Sequence, residues 1–154
     1  RLVRPGVRLA VDVGSVRVGI ARSDATGALA VPECTLDGRK DWVANLARLV
    51  VDLEPIEVII GLPVSLDGAE HAAAARVRAF LPRIAEACPD VPLRLVDERL
   101  TTTAAHTQFR EAGVSTRKGR GLVDQAAAVI MLQNTLDAER ATGQAPGTLA
   151  NGPA

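Results

Sequence analysis

Asp12 interrupts an apolar run, Leu9-Ala10-Val11-Asp12-Val13, and a carboxylate inside a buried strand is costly unless its charge is compensated. Two more acids have unusual settings. Glu98 closes the run Leu93-Arg94-Leu95-Val96-Asp97-Glu98, where Asp97 is an equally placed alternative. Asp124 opens the helical stretch Val123 to Ile130. Acids from two strands and a helix can converge on one point. Carboxylates so placed repel one another, and a divalent cation relieves the repulsion. Oxygen ligands without His or Cys favour Mg2+ or Mn2+ over zinc. A pair of such ions about 4 Å apart can activate water and stabilise the leaving oxygen in phosphodiester cleavage. Taken singly, Asp124 also fits a helix cap and Glu98 a solvated strand end. Asp12, with apolar neighbours, has no such ordinary explanation.

Positioning these acids requires a sheet and a covering helix. Alternation predicts a strand at residues 9–13, a Gly14-Ser15 turn and a returning strand from Val16 to Ala21. A third strand is predicted over 28–36, with Pro32 marking it as an edge strand or an irregular one. Asp41 is the expected cap of a first helix, carrying Val43, Leu46, Val50 and Leu53 at helical spacing until Pro55. Ile56 to Gly61 is nearly all apolar, the pattern of a strand covered on both faces. Asp67 and Glu70 have capping-box spacing for a second helix, which Pro82 should kink or end. A strand at 91–97, a helix over 101–110, a basic loop over 112–121 and a last helix over 122–140 complete the order. On that last helix Asp124 shares a face with Ala127, Ala128 and Met131. The expected fold is α/β, with a central mixed five-stranded sheet: three hairpin-connected strands, then parallel strands, flanked by helices. One domain is expected over residues 1–142, with a Gly-, Pro- and Ala-rich disordered tail over 143–154.

Composition narrows the class. A chain of 154 residues with nearly half its residues apolar can bury a sizeable core. No apolar run is long enough to span a membrane, and Arg4, Pro5 and Arg8 do not suit a signal peptide, so a cytoplasmic protein is expected. Cys34 and Cys88 are expected as free thiols. Net charge is zero, but it is sorted by segment. Residues 52–98 carry nine acids against four arginines, whereas 1–24 and 99–120 are basic. Phosphate binding follows local potential, which makes Arg17 in the first hairpin and Arg117, Lys118 and Arg120 before Asp124 the candidate nucleic-acid contacts. Trp42, Phe80 and Phe109 are the only aromatics, too few for base stacking along a single strand, so grip on backbone and shape is expected.

These segments also resemble a family. Val11-Asp12-Val13-Gly14-Ser15-Val16-Arg17-Val18-Gly19-Ile20-Ala21-Arg22-Ser23-Asp24 is similar to the opening motif of the YqgF family, also called RuvX. Gly61-Leu62-Pro63-Val64-Ser65-Leu66-Asp67-Gly68, Asp97-Glu98-Arg99-Leu100-Thr101-Thr102, and Lys118 with Val123 to Ala128 resemble its later motifs, in order over residues 8–137. Ala10 stands where many members have Gly. The resemblance implies a ribonuclease H-like fold, with Asp12, Glu98 and Asp124 as catalytic metal ligands, and so selects Glu98 over Asp97. It also implies trimming of the small-subunit ribosomal RNA precursor at its 5′ end, Holliday-junction resolution, or both. The expectation is an Mg2+- or Mn2+-dependent endonuclease acting on structured RNA or branched DNA, as a homodimer if a junction is cut symmetrically. Two other functions compete. Asp12-Val13-Gly14 also fits the phosphate hairpin of actin-like kinases, but those enzymes close two such domains around a nucleotide. A non-catalytic nucleic-acid-binding module in transcription or ribosome assembly is the main alternative, against which the three acids argue, since without a cation they repel phosphate.

Overall fold

The structure is a computed structural model. It describes residues 4–98 and 116–150, with side chains for 4–98 and 125–150. Its strands are β1 (Arg8–Val13), β2 (Arg17–Ser23), β3 (Ala30–Asp37), β4 (Glu57–Leu62), β5 (Leu93–Asp97) and β6 (Thr148–Leu149). Its helices are α1 (Trp42–Leu53), α2 (Ala72–Ala87) and α3 (Thr116–Thr142). The six strands form one sheet in the order β3-β2-β1-β4-β5-β6. The first three pair antiparallel through hairpins, and β4 and β5 then join in parallel. This is the expected mixed sheet with one strand added. The sixth strand lies inside the stretch expected as a disordered tail. Thr148 pairs with Leu95 and Leu149 with Arg94, and the Ala150 N–H donates to Leu93 O at 2.8 Å. That pairing satisfies backbone groups that β5 would otherwise leave open at an edge.

Strand alternation gives the sheet two unlike faces. Leu9, Val11, Val18, Ile20, Val58, Ile60, Leu93 and Leu95 face α1 and α2, where they meet Trp42, Leu46, Val77 and Ile84. Each such side chain contributes about 1.5–3 kcal/mol on burial. Trp42 and Phe80 join the two helices, ring centroids 4.9 Å apart. The other face presents Ala10, Ala21, Ala30, Ile59 and Val96 to Ala128, Met131, Leu132 and Leu136 of α3. The alanines let α3 lie close. Asp41 caps α1 as expected, accepting from the Ala44 N–H at 3.2 Å.

Three local expectations change. The second helix starts at Ala72 with no side-chain cap, because Asp67 and Glu70 are used elsewhere. Asp67 accepts from the Ala69 N–H at 2.9 Å and from the Ser65 hydroxyl. Glu70 pairs with Arg78 through contacts of 2.6 and 2.9 Å. Pro82 does not end α2, whose buried Val77 and Ile84 anchor it on both sides of the proline. The last helix starts at Thr116, so the backbone of Arg117, Lys118 and Arg120 is helical rather than looped, and Asp124 is an interior residue rather than a cap. Gly119 and Gly121 each cost about 1 kcal/mol in a helix, and that pattern had suggested a loop. The helix expected over 101–110, with His106 and Phe109, lies outside the described residues. Cys34 and Cys88 are free thiols. Among the described residues no helix is long and apolar enough to cross a membrane.

Candidate active site

Asp12 is the penultimate residue of β1, paired in register with Gly19 on β2. On its other side β4 runs parallel with Val11 opposite Ile60, so Gly61 is the next residue along. Asp12 therefore has a glycine neighbour on each flanking strand. Neither glycine puts a side chain beside the carboxylate, and the α3 face of the sheet has a trough at that point.

Glu98 enters the trough from the end of β5. Its side chain lies across Gly61: a Cβ built there would stand 2.7 Å from both Glu98 Cγ and Met131 Sδ. Real contacts of that kind do not occur, so any larger residue displaces the glutamate. Glycine at a strand end often marks such a close approach, and this is the one signal by which the sequence could have disclosed the role of Gly61. Glu98 and Asp12 are joined by a side-chain hydrogen bond, which requires a proton between the two carboxyls. Burial, then the charge of Asp12, that hydrogen bond, and finally Asp97 push Glu98 up to about 8. All four influences act in one direction. Asp97 itself ends β5 opposite Leu62.

The third acid comes from α3. Ala128 and Met131, four and seven residues beyond Asp124, are buried on the sheet. Gln125 Nε2 donates to Thr35 Oγ1 at 2.7 Å, which ties the residue after Asp124 to β3. The Asp124 side chain lies outside the described residues, as do those of Arg117, Lys118 and Arg120. Among the described residues no three His, Cys, Asp or Glu side chains group closely enough to hold a metal ion. The described part of the site is thus a carboxylate pair: hard oxygen donors, held together against their repulsion. Such a donor set fits Mg2+ or Mn2+. Arg17 begins β2, on the same face as Gly19 and two residues from it.

A second charged group on the α3 face was not foreseen. Arg8 and Glu57, opposite each other on β1 and β4, are each 1% exposed. Arg8 Nη2 donates to Glu139 Oε2 of α3 at 2.8 Å. Arg4 reaches Glu57 at 2.9 Å and Glu139 at 2.6 Å, and Arg94 Nε reaches Glu57 at 3.0 Å. Burial alone would raise Glu139, but hydrogen bonds and charge from Arg4 and Arg8 hold it below the ordinary glutamate range.

Comparison with known proteins assigns the chain. The sequence family described as "RuvX: Holliday junction resolvase" matches residues 6–138. The chain belongs to the RuvX family. RuvX relatives include a Streptomyces coelicolor protein named "Putative pre-16S rRNA nuclease", 51% identical over 147 residues, 94% of this chain and 88% of that protein. A Kineococcus radiotolerans protein of the same name is 49% identical over 154 residues, 98% of this chain and 81% of that one. Among solved structures, "T. thermophilus RuvC in complex with Holliday junction substrate" superposes with a TM-score of 0.61 at 12% identity, covering 92% of this chain and 99% of that one. That likeness places the sheet in the ribonuclease H-like fold. As a RuvX member the chain is a nuclease.

Proposed function

We propose that the chain is a divalent-cation-dependent endonuclease of structured nucleic acid, with Asp12, Glu98 and Asp124 as its metal ligands. The observation that carries this reading is the Asp12–Glu98 pair in a glycine-walled trough beneath α3. Asp12 and Glu98 supply oxygens from two strands, and Asp124 a third from the helix. Mg2+ or Mn2+, most simply as two ions, would supply an activated water and stabilise the leaving oxygen. The chain itself fixes the donors: Gly61 admits Glu98, and Met131 packs behind it. Arg17 and the helical Arg117, Lys118 and Arg120 are proposed to hold phosphates of the substrate.

The names of the relatives favour precursor 16S ribosomal RNA as the substrate. A four-way DNA junction is the second reading, favoured by the family description and by the RuvC likeness. Symmetric cutting of a junction would take two copies of the chain. The test presents rRNA precursor, four-way junction and linear duplex to one preparation with Mg2+ or Mn2+. Cleavage of the precursor at its 5′ end is expected. Asp12→Asn should lose at least roughly 10²–10³-fold in rate, the scale of removing one electrostatic stabiliser of a transition state, while its circular dichroism stays native. Undiminished cleavage by Asp12→Asn would overturn the assignment.

A further inference from the structure

Asp12, Gly19 and Thr35 stand side by side across β1, β2 and β3 on the α3 face. The row leads from the carboxylate pair to the sheet edge, roughly 10 Å away at 4.8 Å per strand. At its outer end lies a cavity of about 230 Å3, lined by Val16, Arg17, Thr35, Leu36, Asp37 and Arg39.

The charges lining this cavity are arranged unevenly. Arg17 pairs with Asp37 in the strand ladder, yet the Asp37 carboxylate is taken by Arg39. Arg39 donates from Nε at 3.1 Å, from Nη2 at 3.2 Å and from its backbone N–H at 2.9 Å. These bonds hold Asp37 at about 2, so it stays charged and committed to Arg39. Among the described residues Arg17 takes part in no ion pair, which leaves one guanidinium over. A guanidinium has five N–H donors and Arg39 spends only part of its fork on Asp37. The cavity therefore offers a complete fork, part of a second and a net positive charge at the sheet edge, where the row to Asp12 passes beneath α3 and Gln125 bonds Thr35. A phosphodiester matches that donor geometry.

We propose that this cavity is a phosphate subsite, seating the nucleic-acid backbone beside the bond being cut, with Arg17 as its principal donor and Arg39 as the second. The inference rests on the nuclease reading and extends it to a named place on the β2–β3 edge. Its function is to hold the substrate strand in register with Asp12. Asp37 keeps Arg39 in position and holds the net charge to one, so that the strand can also leave.

The test is binding of a labelled RNA hairpin and a labelled four-way DNA junction, followed by anisotropy over a range of NaCl in EDTA. Arg17→Gln should weaken binding to both and make the plot of log affinity against log salt shallower by about one, the loss of one phosphate contact. Arg17→Lys should restore the slope but only part of the affinity, because the charge returns without the fork. Arg39→Gln combined with Asp37→Asn keeps the local net charge and should weaken binding less than Arg17→Gln. In each variant the rise in unfolding midpoint with Mn2+ should match the wild type. Unchanged slope and affinity in Arg17→Gln, with a wild type that binds and cleaves, would overturn the subsite alone. A wild type that binds neither nucleic acid in EDTA and cleaves neither with Mg2+ or Mn2+ would overturn the subsite and the nuclease reading together.

Discussion

Glu139 and Glu98 both reach the α3 face of the sheet, at opposite ends of it. Arg8, beside Glu139, and Asp12, beside Glu98, are four residues apart on β1, roughly 13 Å of strand. At the Arg8 end, two acids meet three arginines, and Glu139 is held below its ordinary range. At the Asp12 end, acid meets acid, and Glu98 is held well above its ordinary range. One face of one sheet thus holds a cluster in which every acid meets an arginine and another in which two carboxyls face each other. The first is complete as folded. The second carries repulsion that a hard cation would relieve, which is how a structural cluster and a candidate catalytic one differ when the same residue type builds both.

Isosteric removal of charge should therefore act with opposite sign at the two ends. Glu139→Gln strands the buried Arg8 guanidinium with one fewer compensating charge and should cost about 3 kcal/mol in urea unfolding. Above pH 8, where Glu98 is ionised, Glu98→Gln removes one of two facing carboxylates and should raise the unfolding midpoint of the metal-free protein. Two changes of the same sign would break the comparison.

Gly61→Ala probes the site end through sterics alone. Its methyl would displace Glu98 or Met131, at a cost of about 1–3 kcal/mol for overpacking. Cleavage should fall more than stability explains at a temperature where the variant is fully folded. Wild-type cleavage by Gly61→Ala would mean that the Glu98 position over Gly61 is not needed.

The smallest effect is in pH. Glu139, lowered in the folded state, contributes stability above the ordinary glutamate range that is lost as pH falls through its folded value. Glu98, raised to about 8, contributes stability that is fully present below about 4.5 and is lost as pH rises through 8. Unfolding midpoints in EDTA across pH 3 to 9 should thus drop at both ends. Glu139→Gln should flatten the acid limb and Glu98→Gln the alkaline limb.

The two ends were not equally visible in the sequence. Asp12 stood out because one acid among apolar neighbours breaks a local pattern, and the succession of the first five strands along the chain followed from periodicity. The arginine cluster left no local trace. Arg8 opens a strand like any solvated residue, and its partner Glu139 is 131 positions away. Gly61 looked like the end of an apolar strand, since the glutamate that needs its missing Cβ comes from another element. The strand at Thr148–Leu149 was hidden by composition: Gly and Pro neighbours suggest disorder, while the stabilising partner, the edge of β5, is distant in sequence. The helical start of α3 was hidden by Gly119 and Gly121, whose local cost the rest of a 27-residue helix outweighs. What was legible was local; what was missed depends on contacts between elements.

The central claim is that the Asp12–Glu98 pair belongs to a cation site. Calorimetric titration of Mn2+ into wild type and Asp12→Asn at one pH tests it most directly, with unfolding midpoints measured on the same samples. Saturable binding by the wild type is expected, with a midpoint that rises as binding to the native state requires, and at least roughly tenfold weaker binding by Asp12→Asn. No binding by the wild type up to millimolar Mn2+, or equal affinity in the two proteins, would contradict it.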